Sequence, residues 1–335
     1  MKPITLLLGL CLSLLVFRSA AADPTTPAAP VPSTPAAPPD PYQTALPGYQ
    51  YVKTAPLDVK AIKTETYPEC RMLRFTYAST NKQRVPALFF TPKGASKAHP
   101  LPCLVILHGL GASKEAMAGF ARYAATQGYA SLAIDEYAQG ERALPGAKGL
   151  ALSAAVLQSL LLTGVPQTVV DVRRGLDYLE TCPGVDHKRT GLVGVSLGAI
   201  IGTVTAGVDT RLKATVLISG GGDWAVILKY LAAQTRTVGG QQIAGSQDVN
   251  WAFVSALLVP EDPITFAPHI APRAVLMLNG RKDTVIVPQA AEELYKAVQS
   301  GPGARAQITW FPDSGHIPST DLIYPVVKKW LAVNL

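Results

Sequence analysis

The stretch "RTGLVGVSLGAIIG", residues 189–202, runs apolar into a serine set between glycines and then continues with small and apolar residues. An apolar run that ends at a tight small-residue turn and resumes with helical character reads as strand, turn, helix. From average glycine and serine usage, a G-x-S-x-G pattern arises by chance in roughly one chain in ten of this length. Its setting must therefore decide whether Ser196 is a reactive hydroxyl or a small residue where two backbones pack.

Working outward, strands are expected at "MLRFTYA" (72–78), "VPALFFTP" (85–92), "LPCLVILHG" (101–109), "YASLAID" (129–135), "TGLVGVS" (190–196), "KATVLISG" (213–220), "RAVLMLNG" (273–280) and "QITWFPD" (307–313). The later runs lack in-out alternation, as strands covered on both faces do. Helical patterns fall between them at about 113–127, 166–181, 197–207, 288–299 and 320–334. Strands alternating with helices of these lengths predict an α/β fold, a mostly parallel, eight-stranded, doubly wound sheet. Residues 221–270 are longer than a simple connection and are expected to form a small cap insertion. The apolar stretch 149–166 is interrupted by Ser153, Gln158, Ser159 and Thr163 and ends in Gly-Val-Pro, so it reads as a buried helix and not a membrane span.

The chain opens "MKPITLLLGLCLSLLVFRSAAAD", with a basic start, an apolar run from Ile4 to Phe17 and Ala20 and Ala22 as an A-x-A site. Residues 1–22 therefore read as a cleaved signal peptide and the product as secreted or periplasmic. Lipid anchoring through Cys11 is disfavoured because Leu10 is too large for the site before a lipidated cysteine. Residues 23–45 begin with eight prolines between Asp23 and Pro41, which favour an extended linker over a packed core. Residues 46–335 are then one domain.

The net charge of +7 falls to +5 without Lys2 and Arg18, and the basic residues form no aromatic-interleaved stripe, so nucleic acid is not an expected partner. No stable membrane insertion is expected after signal cleavage. Cys70, Cys103 and Cys182 allow at most one intrachain disulfide, have no metal-ligand spacing, and Cys103 reads as a buried small hydrophobe.

In open α/β sheets ligands bind beyond the carboxyl ends of the strands, and that rule sorts the candidates. Ser196 sits where a strand gives way to a helix, the setting that turns G-x-S-x-G into a nucleophile elbow. A serine needs a base. Of the five histidines, His99, His187 and His269 precede strands, and His108 lies in the "HGLG" loop, which has another role. His316, in "PDSGHIPS" after the last strand, remains as the base. Asp283, in "NGRKDTVIVP", suits the acid that orients it, with Asp223 in "SGGGDW" as its competitor and Asp313 as a turn residue. The backbone N–H groups of Leu110 and Leu197 are placed to form an oxyanion hole. Asp135, Glu136 and Arg142 in "DEYAQGER" either line the pocket mouth or brace the loop. Asp171, Arg173, Arg174, Asp177 and Glu180 read as ion pairs on a solvated helix face.

"VILHGLGASKE", "DVRRGLDYLETCPGVDHKRTGLVGVSLGA", "LNGRKDTVIVP" and "DSGHIP" together resemble the α/β-hydrolase superfamily, particularly its dienelactone-hydrolase-like and secreted acetyl-xylan-esterase-like branches, over roughly residues 70–335. The chain departs from the pattern in two places: Ser196 stands where true dienelactone hydrolases have cysteine, and Ala199 where many relatives have a second glycine.

The expectation is an exported serine hydrolase that cleaves a carboxylic ester through an acyl-enzyme, with Ser196, Asp283 and His316 as triad and no cofactor or metal required. Its substrate would be a small-molecule or polysaccharide-linked ester, and Trp224, Trp251 and Phe253 are candidates to shape the cap pocket. A serine peptidase or thioesterase would use the same triad, and a non-catalytic exported binding protein could share the fold.

Overall fold

The computed structural model describes residues 39–143, 159–233, 236–238, 241–243 and 251–335. The signal-peptide reading and most of the linker reading lie outside the described residues. In chain order the elements are α1 (Pro41–Ala45), β1 (Lys60–Thr66), β2 (Cys70–Ala78), β3 (Arg84–Pro92), β4 (Leu101–Leu107), α2 (Ala118–Thr126), β5 (Ala130–Ile134), α3 (Val165–Glu180), β6 (Val185–Val195) and α4 (Leu197–Val208). They continue with β7 (Leu212–Ile218), α5 (Trp224–Ala233), β8 (Arg236–Val238), β9 (Gln241–Ile243), α6 (Trp251–Leu258), α7 (Pro263–Phe266), β10 (Ala274–Gly280), α8 (Pro288–Gln299), β11 (Arg305–Phe311) and α9 (Thr320–Asn334).

The main sheet has the order β1-β2-β3-β5-β4-β6-β7-β10-β11. The β1/β2, β2/β3 and β3/β5 pairs are antiparallel, and every pair from β5 to β11 is parallel. All eight expected strands are present, and β1 adds a ninth at the antiparallel edge. The sequence "KAIKTET" hides this strand because none of its residues is buried, so it carries no apolar alternation. Lysine-rich, solvated composition is what an edge strand needs to resist pairing with another chain.

Helices cover both faces of the sheet. On one, Val165, Val169 and Leu176 of α3, Ile200 and Val204 of α4 and Leu294 and Val298 of α8 pack against Leu132, Leu192 and Leu217. On the other, Phe120, Ala121 and Ala124 of α2 and Ile323, Val327 and Leu331 of α9 pack against Leu104, Ile106, Val216 and Leu276. The central strands are buried on both sides, which is why their sequences run apolar without alternation.

Three boundaries differ from the sequence reading. Residues 41–45, assigned to the linker, form α1: Asp40 caps it, Ala45 is buried, Tyr42 Oη donates to Gly207 O at 3.1 Å, and the Tyr42 ring stacks on His269. The charged face of α3 is mostly buried: only Glu180 of its five charged residues is exposed, ion-paired with Lys53 and Arg211. Asp171, Arg174 and Asp177 are all sequestered, with Arg174 donating to the carbonyls of Lys53, Ala55 and Pro56 and pairing with Asp177 at 2.9 Å. The N-terminal segment thus gains part of its attachment from guanidinium groups, beside the buried Ala45 and Tyr49, a pattern that periodicity does not reveal.

The insertion between β7 and β10 contains α5, the β8–β9 hairpin and α6, but its last part, α7 and the turn 267–270, packs against α4 as part of the body. Asp262 joins the two ends of the insertion, accepting from the N–H groups of Asp223, Trp224 and Ile264 at 3.0, 2.8 and 3.0 Å. Of the 149–166 stretch, residues 149–158 lie outside the described residues, and Leu160–Gly164 form one π-helical turn that leads into α3. Among the described residues no helix is long and apolar enough to cross a membrane.

Candidate active site

Strand β6 ends at Val195, and Ser196 caps α4 with φ +55° and ψ −114°. A residue with a side chain pays for such a backbone, on the order of 1–3 kcal/mol, so surrounding contacts must impose it. Ser196 N–H donates to Ile218 O at 2.8 Å, and Gly198 N–H donates to His108 O at 3.0 Å. The two glycines permit this turn by close approach. A Cβ at Gly194 would lie 2.2 Å from Gly198 O, and one at Gly198 would lie 2.5 Å from His108 O. The packing role and the reactive role of "GVSLG" are therefore one arrangement, in which the glycines pack so that Ser196 stands out at the strand end.

The hydroxyl meets a base. His316 Nε2 is 2.8 Å from Ser196 Oγ, and His316 Nδ1 is 2.9 Å from Asp283 Oδ2. A carboxylate only accepts, so Nδ1 carries the proton and Nε2 is left to accept from the serine. Asp283 is almost fully buried, and its Oδ1 accepts from the N–H groups of Val285 and Ile286 at 2.8 and 3.0 Å, which fixes the carboxylate plane. Three separate strand-end connections, after β6, β10 and β11, supply the three side chains.

The "HGLG" loop lies directly beside the serine, since a Cβ at Gly109 would contact Ser196 Cβ at 3.4 Å. Among the described residues, the N–H groups of Leu110 and Leu197 have no hydrogen-bond partner. His108 is fully buried, and that burial holds its pKa below the usual imidazole value, so the ring is neutral. Its Nδ1 bonds Gly109 O at 2.9 Å, and its Nε2 accepts from Glu136 N–H at 3.3 Å, so it fixes the loop instead of serving as base. Gln139 went unnoticed in the sequence, although its Oε1 accepts from Gly111 N–H at 2.7 Å and anchors the same loop. No residue-type signal marks an amide that serves a backbone.

Asp223 caps the start of α5 through Val226 N–H, and the carboxylate bonded to His316 is Asp283. Asp313 pairs with Lys282 on the surface. Asp135 and Arg142 are braces: Asp135 holds the buried Lys114 ammonium at 2.7 Å and Glu141 N–H at 3.0 Å, while Arg142 pairs with Asp171 at 2.6 Å. Glu136 is fully buried, with no side-chain partner among the described residues, and burial pushes its carboxyl far above the usual range. Trp224 is buried, and its Nε1–H donates to Glu261 O at 3.2 Å, so it braces the cap base. The side chains of Trp251 and Phe253 lie outside the described residues. Cys70, Cys103 and Cys182 are free thiols.

A serine hydroxyl held against an imidazole that is itself held by a buried aspartate is the apparatus of a serine hydrolase working through an acyl-enzyme. The sequence matches the profile of the Dienelactone hydrolase family over residues 85–317. The YtaP protein of Bacillus subtilis (strain 168) is 25% identical over 299 residues, 82% of this chain and 93% of that protein. Acetyl xylan esterase 1 from Thermoanaerobacterium sp. JW/SL YS485 superposes with a TM-score of 0.69 at 18% identity, covering 88% of this chain and 93% of that one. An acetyl xylan esterase from Paenibacillus sp. R4 superposes with a TM-score of 0.66, also at 18% identity, over 88% and 93% of the two chains. At that identity the structural likeness establishes the shared fold.

Proposed function

The chain belongs to the dienelactone hydrolase family, and from that premise we propose that it is an exported carboxylic-ester hydrolase whose triad is Ser196, His316 and Asp283. Ser196 Oγ attacks the acyl carbon as His316 Nε2 takes the hydroxyl proton. Asp283 holds Nδ1–H and stabilises the imidazolium that results. The tetrahedral oxyanion is received by the N–H groups of Leu110 and Leu197. His316 then returns the proton to the departing alcohol, and water, activated by the same imidazole, releases the acid from Ser196.

The observation that carries this reading is the 2.8 Å contact between Ser196 Oγ and His316 Nε2, with the ring tautomer set by Asp283 at 2.9 Å. Serine in place of cysteine favours simple esters over dienelactones. The signal peptide at 1–22 and the proline-rich segment that follows it favour a substrate outside the cytoplasm. Two structural relatives bear the name acetyl xylan esterase, and an acetyl ester on a polysaccharide fits both the chemistry and the location.

The test is mass-spectrometric mapping of a fluorophosphonate adduct on the purified mature protein beside Ser196→Ala, with p-nitrophenyl acetate and acetylated xylan as substrates. Label on Ser196 and turnover of both substrates, each abolished in the variant, is the expected result. Folded wild type that takes no label and turns over no ester would overturn the proposal in favour of a binding protein on this fold.

A further inference from the structure

His316 sits on the eight-residue connection Pro312–Ser319 between β11 and α9, whose main-chain bonds lie at its two ends, at Ser314 and Ser319. Among the described residues, the backbone of residues 315–318 makes no main-chain hydrogen bond. Besides the ring's bonds to Ser196 and Asp283, the segment is tethered through the His316 carbonyl, which accepts from Ser219 Oγ. Ser219 is fully buried at the end of β7, where its own N–H donates to Leu278 O at 2.8 Å. Its neighbours complete a hub: Ile218 O accepts from Ser196 N–H at 2.8 Å, and Gly220 O accepts from Asn279 Nδ2 at 2.8 Å. Three consecutive residues at the end of β7, Ile218 to Gly220, thus touch the backbone of the nucleophile, the strand that leads to Asp283, and the backbone of His316.

Ser219 has φ +53°, a region where glycine is the default and any Cβ is a liability. Glycines at 220, 221 and 222 follow it immediately, so the chain is rich in glycine at this turn and yet carries a hydroxyl at the left-handed position. We propose that Ser219 is a positioning residue for the catalytic base: its hydroxyl fixes the His316 peptide so that Nε2 and Nδ1 reach Ser196 and Asp283 together. The inference rests on the esterase reading above.

Two substitutions separate positioning from stability. Ser219→Ala removes the hydroxyl and keeps the strained backbone, whereas Ser219→Gly removes the hydroxyl and relieves the strain. Both are expected to lower kcat for p-nitrophenyl acetate by roughly 10- to 100-fold, the scale of a sub-ångström to ångström misplacement of a catalytic group. KM is expected to stay near the wild-type value, and fluorophosphonate labelling of Ser196 to slow by the same factor. Thermal unfolding is expected to diverge, with Ser219→Gly at or above the wild-type midpoint and Ser219→Ala at or below it. A merely structural serine would make activity follow the melting temperature. Wild-type kcat and labelling rate in folded Ser219→Gly would overturn the inference while leaving the esterase reading intact. Wild type that neither labels nor turns over ester would overturn both.

Discussion

Replacing Gly198 with alanine tests whether the packing of the serine turn and the proposed oxyanion site at Leu110 and Leu197 are one structure. The new Cβ would stand 2.5 Å from His108 O and 2.7 Å from the carbonyl carbon and oxygen of Leu107, all backbone atoms, where ordinary contact begins at 3.4 Å. Relief therefore requires a displacement of about 0.9 Å, which no side-chain rotation can supply. If the loop yields, Leu110 N–H moves away from the serine; if α4 yields, Leu197 N–H and Ser196 move away from the loop. Either way the two donors separate by most of an ångström, and the 3.0 Å bond from Gly198 N–H to His108 O weakens with them. Misplacement on that scale costs about 100-fold, and loss of one oxyanion donor about 100- to 1000-fold. The expected result is a kcat for p-nitrophenyl acetate about 100-fold below wild type with a circular dichroism spectrum unchanged. A folded variant with kcat within a factor of about three of wild type would refute the coupling.

Two further perturbations probe the acid and the cap base. In Asp283→Asn, the amide oxygen is drawn to the N–H groups of Val285 and Ile286, which leaves the amide NH2 facing His316 Nδ1; the imidazole must then carry its proton on Nε2, and kcat should fall about 10,000-fold with KM little changed. Burial pushes the Glu261 carboxyl up from 4.5 to about 7. The folded state therefore keeps a proton that the unfolded chain releases near pH 4.5, and stability should fall as pH rises through the window from 4.5 to 7. Glu261→Gln removes that dependence, so urea midpoints of variant and wild type should agree near pH 4.5 and separate by pH 8, with the variant the more stable; parallel curves would disprove the assignment.

Ser196, Asp283 and His316 were legible because each is a chemistry-bearing residue at the carboxyl end of an apolar strand, and because their chain order matched their roles. The strands themselves were legible where burial on both faces left no polar positions. What escaped was of another kind. Strand β1 is exposed throughout and has no apolar signature. Gln139 and Ser219 act on backbone N–H and C=O groups, which every residue possesses, so no pairing of residue types announces them. The charges of α3 looked like those of a solvated face because ion pairs at helical spacing look alike in sequence, whether water or a strap of chain lies over them. Only the fold reveals that Arg174 is spent on the carbonyls of residues 53, 55 and 56.

The insertion between β7 and β10 joins the body through a narrow base. Asp262 gathers three N–H groups from both ends of the insertion, and Trp224 Nε1–H binds Glu261 O beside it, so the two ends of the insertion are tied together where it leaves the sheet. Its near end is Asp223, four residues beyond the Ser219 that holds His316. Between these two points lie Gly220, Gly221 and Gly222, where a side chain would strike Ala199, Ile286 or Ile264 respectively. The glycines therefore pack the short connection tightly against α4, α7 and the segment after Asp283. A substitution within 219–222 is expected to disturb the triad, because that segment touches the supports of all three of its side chains: Ser219 Oγ on His316 O, Gly220 against Ala199 just after the serine, and Gly221 against Ile286, whose N–H holds Asp283.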